Sequence, residues 1–295
     1  LPVGNDGLVK QANSLRLPVK IAPMLKLRVI TSLIVLPTVV AIVLLASTPF
    51  FSAVIAALSL MALWEWTRLS GLQNRPSRVV CMGFYASFFA LIGYFQNSLV
   101  WWSVICAGCL WWIGAIFWLR HFSFGVAPTR GNKTLKLIAG ALIVIPAWTA
   151  LTQLHLGSQQ GPIWTLFALI LIWMADTSAY FAGRRWGTVK LAPRISPGKT
   201  RAGAYGALIG AILIALIGGW LLNLRGVSLF FLAFLAVIIT VFSIVGDLFE
   251  SMIKRHCNVK DSGALFPGHG GVFDRLDSIF AALPVLALGK ALLAL

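Results

Sequence analysis

Acidic residues are scarce in this chain: eight Asp and Glu stand against 24 Lys and Arg in 295 residues. Charge of either sign is scarce too, at 11%, where a soluble domain carries about 25%. Hydrophobic residues make up 59%, and mean hydropathy is +0.89. These figures exclude an ordinary soluble domain and place the chain among polytopic membrane proteins. Cysteine is sparse: Cys81, Cys106, Cys109 and Cys257 make no disulfide framework. Cys106 and Cys109 form a C-x-x-C, but in a Trp-rich apolar stretch with no second pair and no nearby His, so they read as helix-packing thiols. There is no internal repeat, soluble domain or low-complexity linker. No Ser-His-Asp arrangement and no His/Cys zinc spacing stands out.

What is present is a series of apolar windows of membrane length, about 17–25 residues. They fall near 29–46, 49–66, 79–95, 99–119, 135–151, 163–181, 204–222, 229–246 and 278–294. The expected fold is therefore all-α, a polytopic transmembrane helical bundle of about nine spans. Residues 1–23 differ in texture from the rest of the chain and read as an N-terminal extension, foreign to the native protein or poorly ordered. Residues 24–295 read as a single transmembrane domain whose C-terminal part, from about 165, carries the chemistry. The run after Met24 is too long for a signal-peptide core and lacks a small-residue cleavage site, so it is expected to be a retained first span.

The net charge of +16 would point to nucleic acid in a soluble protein. Here it reads as basic cytoplasmic loops beside anionic lipid head groups. Numbering the windows in order puts 22 of the 24 basic residues on one side, with only Arg225 and Lys290 on the other. The positive-inside rule then predicts a cytoplasmic N-terminus. It also puts the segments 182–203 and 247–277 on the cytoplasmic side, where nucleotides are available.

The few acids bunch. Asp247 ends a long apolar run, where an ionisable group is costly and usually functional. On a helix, Glu250, Ser251 and Lys254 follow it on one face. The stretch SMIKRHCNVKDSGALFPGHGGVFDRLD, Ser251–Asp277, adds Arg255, Lys260, Asp261, His269, Asp274, Arg275 and Asp277. Its Pro and Gly residues turn the chain and bare N–H groups suited to phosphate oxygens. Upstream, Asp176 and Tyr180 share a helical face near the end of the sixth window. Ser196, Lys199 and Thr200 follow in a turn-rich loop, SPGKT, that lacks the spacing and preceding strand of a Walker A site. Acids, cations and backbone donors together suit phosphoryl or nucleotidyl transfer with Mg²⁺.

The run S-x-x-K-R-x4-K-D-x-G-x3-P-G-H-G-G-x-x-D-R-x-D, Ser251–Asp277, resembles without a gap the sequence motif of phosphatidate cytidylyltransferases, the CDP-diacylglycerol synthases. DTSAYFAG and ISPGKT resemble the family's other shared blocks, in the expected order. One departure is Ala202, where many members carry Glu or Gln. The resemblance implies condensation of CTP with phosphatidate to CDP-diacylglycerol and pyrophosphate. It implies a Mg²⁺-dependent, homodimeric enzyme of the bacterial inner membrane, with room for a second, monovalent ion. Carried over residue by residue, Asp247 and Asp274 are the expected metal ligands, with Asp277 and Asp176 in support. Lys254, Arg255, Lys260, His269 and Arg275 are expected to contact phosphates, and Ser196, Lys199 and Thr200 to close the site, with Ser251 and Tyr180 beside them. Three other readings compete. A CDP-alcohol phosphatidyltransferase lacks its DG-x2-AR pattern here. An ion-coupled transporter fits poorly with acids gathered at one end of the spans. A catalytically silent paralogue has only Ala202 in its favour.

Overall fold

Long apolar runs satisfy their backbone groups internally as helices, because hydrocarbon offers no partner for a free N–H or C=O. The computed structural model describes residues 21–95, 98–157, 159–263 and 270–295, with side chains from Leu33 onward. Residues 1–20 of the expected N-terminal extension lie outside the described residues. The helices are α1 (Ile21–Leu45), α2 (Thr48–Leu69), α3 (Arg75–Phe95), α4 (Ser98–Arg120) and α5 (Arg130–Leu156), followed by α6 (Gly161–Trp186). A short hairpin, β1 (Lys190–Ala192) and β2 (Ser196–Thr200), precedes α7 (Arg201–Leu221), α8 (Val227–His256) and α9 (Phe273–Leu292).

Each helix sits on one of the expected windows. Among the described residues, seven (α2 to α8) are long and apolar enough to cross a membrane. The described apolar part of α1 is Leu33–Leu45, and α9 carries Asp274, Arg275, Asp277 and Lys290. The protein is thus an all-α polytopic membrane protein. It divides into two compact units, residues up to Val39 and Val40–Leu295; the second holds every element from α2 onward.

Within that unit α5 is the central post, with 72% of its most apolar window buried against 17% for α3. Thr129 caps its start by accepting the Asn132 N–H at 3.2 Å, and its internal Pro146 packs against Gly108 of α4, where a Cβ would collide. The most extensive packing is α6 on α7, then α8 on α9 and α7 on α8. Small residues permit it: α7 buries Gly203, Ala207, Ala211, Ala215 and Gly219, one per turn. Gly206 and Gly210 of α7 lie so close to Ala182 and Ser178 of α6 that a side chain there would clash. Close approach of this kind drives helix association where lipid supplies no hydrophobic contrast. Below the charged end, Phe249 of α8 is surrounded by Trp66, Trp111, Trp112 and Trp118, with ring centroids 5.4–6.4 Å away, which joins α2, α4 and α8.

One local expectation changes. The segment containing SPGKT is not a plain turn-rich loop: Ser196–Thr200 forms β2, paired antiparallel with β1. Pro197 is tolerated because both strands of a two-stranded sheet are edges. Arg255 fastens the hairpin by donating from Nε to the Ile195 carbonyl at 3.3 Å.

Candidate active site

The apolar window of α8 ends near residue 246, but the helix runs on to His256, so Asp247, Ser251, Lys254 and Arg255 project from one rigid element. They face a cavity of about 870 Å³ bounded by α6, β2, α7, α8 and α9, within the range of small-molecule sites, about 300–1,000 Å³. From α6 come Asp176, Tyr180 and Arg184; from β2, Lys199 and Thr200; and from α9, Asp274, Arg275, Asp277 and Ser278. Lys260 and Asp261 line it from the connection between α8 and α9. Five of the eight acids of the chain meet here, so the bunching read along the sequence is a bunching in space. Away from the charges the wall is uncharged, at Trp173, Ala207, Thr240, Ser243 and Ile244.

The charges are paired in local groups. Lys199 Nζ pairs with Asp247 Oδ2 at 2.5 Å, and Ser251 Oγ donates to Asp247 Oδ1 at 3.5 Å. Ser278 Oγ donates to Asp176 Oδ2 at 3.2 Å, tying α9 to α6, while the Ser278 N–H donates to Asp277 Oδ1 at 2.8 Å. Lys254 stands between two carboxylates, 2.6 Å from Glu250 Oε2 and 2.7 Å from Asp274 Oδ1. Glu250 lies behind the cavity wall, 1% exposed. Asp274 is fully engaged at its other oxygen, where Oδ2 accepts the N–H groups of Ser262 and Gly271 at 2.9 and 2.8 Å. Thr200 is the N-cap of α7, its hydroxyl accepting the Gly203 N–H at 3.1 Å. Tyr180 accepts a hydrogen bond from Arg184 at 3.1 Å. Outside the spans, burial pushes the Cys257 thiol up, and its Sγ donates to the Leu69 carbonyl at 2.9 Å; it packs the connection and is no reactive thiolate.

Among the described residues, one expected residue is not on the wall. Ser196 begins β2, opposite Ala192 and off the cavity, and His269 lies outside the described residues. The glycine amides differ from expectation as well. The Gly271 N–H goes to Asp274, and the next two go to a carboxylate that sequence reasoning did not single out. Glu65 of α2 accepts the Val272 N–H at 3.1 Å, the Phe273 N–H at 2.9 Å and the Ser262 hydroxyl at 2.8 Å. The signal was available, since Glu65 is an acid within an apolar window and the argument applied to Asp247 applies to it. Ser278 and Arg184 are further wall residues that were not singled out for a role at the site. Ala202 is on the first turn of α7 and off the cavity wall.

Comparison with known proteins decides the family. The model of the cytidylyltransferase family matches residues 26–292. The chain belongs to the cytidylyltransferase family. It is therefore a nucleotidyltransferase. It is 39% identical over 269 residues to a phosphatidate cytidylyltransferase of Pseudomonas aeruginosa, covering 90% of this chain and 96% of that one. Phosphatidate cytidylyltransferases of Haemophilus influenzae and Brucella abortus are 32% and 33% identical, over 88% and 92% of this chain and 96% and 94% of theirs. The family match spans the cavity and all of its wall residues.

Proposed function

We propose that this protein condenses CTP with phosphatidate to give CDP-diacylglycerol and pyrophosphate, on the cytoplasmic side of a bacterial inner membrane. The observation that carries the reading is the two-sided cavity. Carboxylates and cations crowd its charged end, and uncharged residues from α6, α7 and α8, Trp173, Ala207 and Ile244 among them, line the rest. A phosphorylated nucleotide suits the first, and a phospholipid presenting its head group from the membrane suits both. The positive-inside bias supports the orientation, and the resemblance implies a homodimer.

In this reading an oxygen of the phosphatidate phosphate forms a bond to the α-phosphorus of CTP. The bond from that phosphorus to the α,β-bridging oxygen breaks, and pyrophosphate leaves with its electron pair. Phosphatidate is already anionic, so no strong base is required. What the chain must supply is relief of repulsion between two polyanions, by preorganised charge. Lys260, Arg255 and Arg275 stand on the cavity wall for phosphate oxygens, with Lys199 at its α6–α7 side. Lys254, held between Glu250 and Asp274, keeps the acid-rich wall in place.

The donor set fits a divalent, oxygen-loving ion. Asp176, Asp247 and Asp277 reach one cavity, yet among the described residues no group of three or more His, Cys, Asp or Glu is arranged to hold a metal unaided. Mg²⁺ sites use one or two carboxylates and complete themselves with water and substrate phosphates. Asp247 would be the principal ligand, with Asp274 offering the remaining lone pair of Oδ1 and Asp277 and Asp176 in support. When bound, such an ion neutralises phosphate charge. The test is purified protein in detergent given radiolabelled CTP, phosphatidate and Mg²⁺. CDP-diacylglycerol and pyrophosphate in equal amounts, abolished by a chelator, are expected; folded protein that yields no lipid product at any metal concentration overturns the proposal.

A further inference from the structure

We propose that Glu65 and Arg68, one turn apart on α2, latch both legs of the connection between α8 and α9 and act as positioning residues for the transfer reaction. This inference rests on the function proposed above. Helix α2 lines no part of the described cavity, yet it grips the chain that does. Glu65, 8% exposed, receives three donors from two places: Ser262 on the leg leaving α8, and Val272 and Phe273 on the leg entering α9. Arg68 Nη2 donates to the Ser262 carbonyl at 2.8 Å. Ser262, 0% exposed, is thus held at all three of its polar groups, since its N–H goes to Asp274.

The chemistry of the latch calls for a carboxylate. Three donors converge on two oxygens, and a carboxylate is acceptor-only, whereas an amide would turn an NH₂ toward one of them. A negative group at the start of α9 also meets the positive end of the helix. The fit is tight. A Cβ at Gly263 or Gly271 would collide with the Glu65 carboxylate, which explains the last glycine of the G-H-G-G run without reference to substrate. Trp66, the next residue, stacks on Phe273 with centroids 4.8 Å apart, so α2 fixes the first turn of α9 by an apolar and a polar contact together. Asp274 and Arg275 leave that turn for the cavity, and Asp261 adjoins the other gripped leg. Displacing either leg moves groups that must meet CTP.

A capping role alone would affect only stability, so the test reads position. Full-length Glu65→Gln and Ser262→Ala are purified in detergent, and amide exchange is followed over 261–263 and 270–275, alongside KM and kcat for CTP and the melting temperature. With the latch loosened, exchange in both legs quickens in Glu65→Gln while α4 and α5 are unchanged. The KM for CTP rises about tenfold, a readout that loss of folded protein does not move. Ser262→Ala removes one hydroxyl and keeps the backbone contacts; it should fold, with a KM about threefold higher, and it decides the matter if Glu65→Gln does not fold. Wild-type KM in the folded variants, whatever their melting temperature, overturns the inference. Amide exchange reads the latch whether or not phosphatidate is the substrate, so a failure of the proposed function is distinguishable from a failure of the latch.

Discussion

Lys254 shows how the partners of a single residue bear on its role. Its position in a K-R pair beside a glycine-rich run suggests a phosphate contact. In the fold it is 13% exposed and pinned between Glu250 and Asp274, so its charge is already answered. Removing one partner of a buried pair strands the other charge, at about 3–5 kcal/mol. Lys254→Met should therefore lower the melting temperature sharply, and Glu250→Gln should also destabilise. The two changes combined should cost less than their sum, because residues in contact are not additive. A double-mutant cycle by thermal unfolding checks this; additive losses would mean that Lys254 and Glu250 do not act as a pair.

At the scale of the element, the close packing of α6 and α7 frames one side of the cavity and depends on glycine. Gly210→Leu should force the helices apart at Ser178 and destabilise the protein by about 1–3 kcal/mol as overpacking does. Gly114→Leu, in α4 at a position with nothing within 4 Å, should be near neutral in the same melting experiment. The helices were legible in the sequence because an apolar run of membrane length has one way to satisfy its backbone. Asp247, Ser251 and Lys254 were legible because helical spacing and apolar cost act within a single element. The hairpin was not, since five residues containing Pro197 and Gly198 carry little strand signal and are fixed by packing from Arg255. Glu65 stands out as an acid in an apolar window, but what it holds was not legible: its partner Ser262 is 197 residues away, and no local pattern links them.

For the molecule as a whole, the separation of charge and apolar surface is the organising fact. From α2 onward, most of the basic residues fall in or beside the connections α2–α3, α4–α5, α6–α7 and α8–α9. The acids collect inside the cavity, where five of eight meet. The N-terminal half, silent in motifs, supplies the central post α5 and the grip of α2 on the α8–α9 connection, so helices beyond the cavity wall support the site. If this cavity performs the transfer, Asp247 stands at its charged heart. That reading is tested most directly by CTP turnover of Asp247→Asn against wild type in one detergent, at matched folded protein. A loss of kcat of about 100-fold or more, with the melting temperature kept, is the result expected; near wild-type turnover would contradict it.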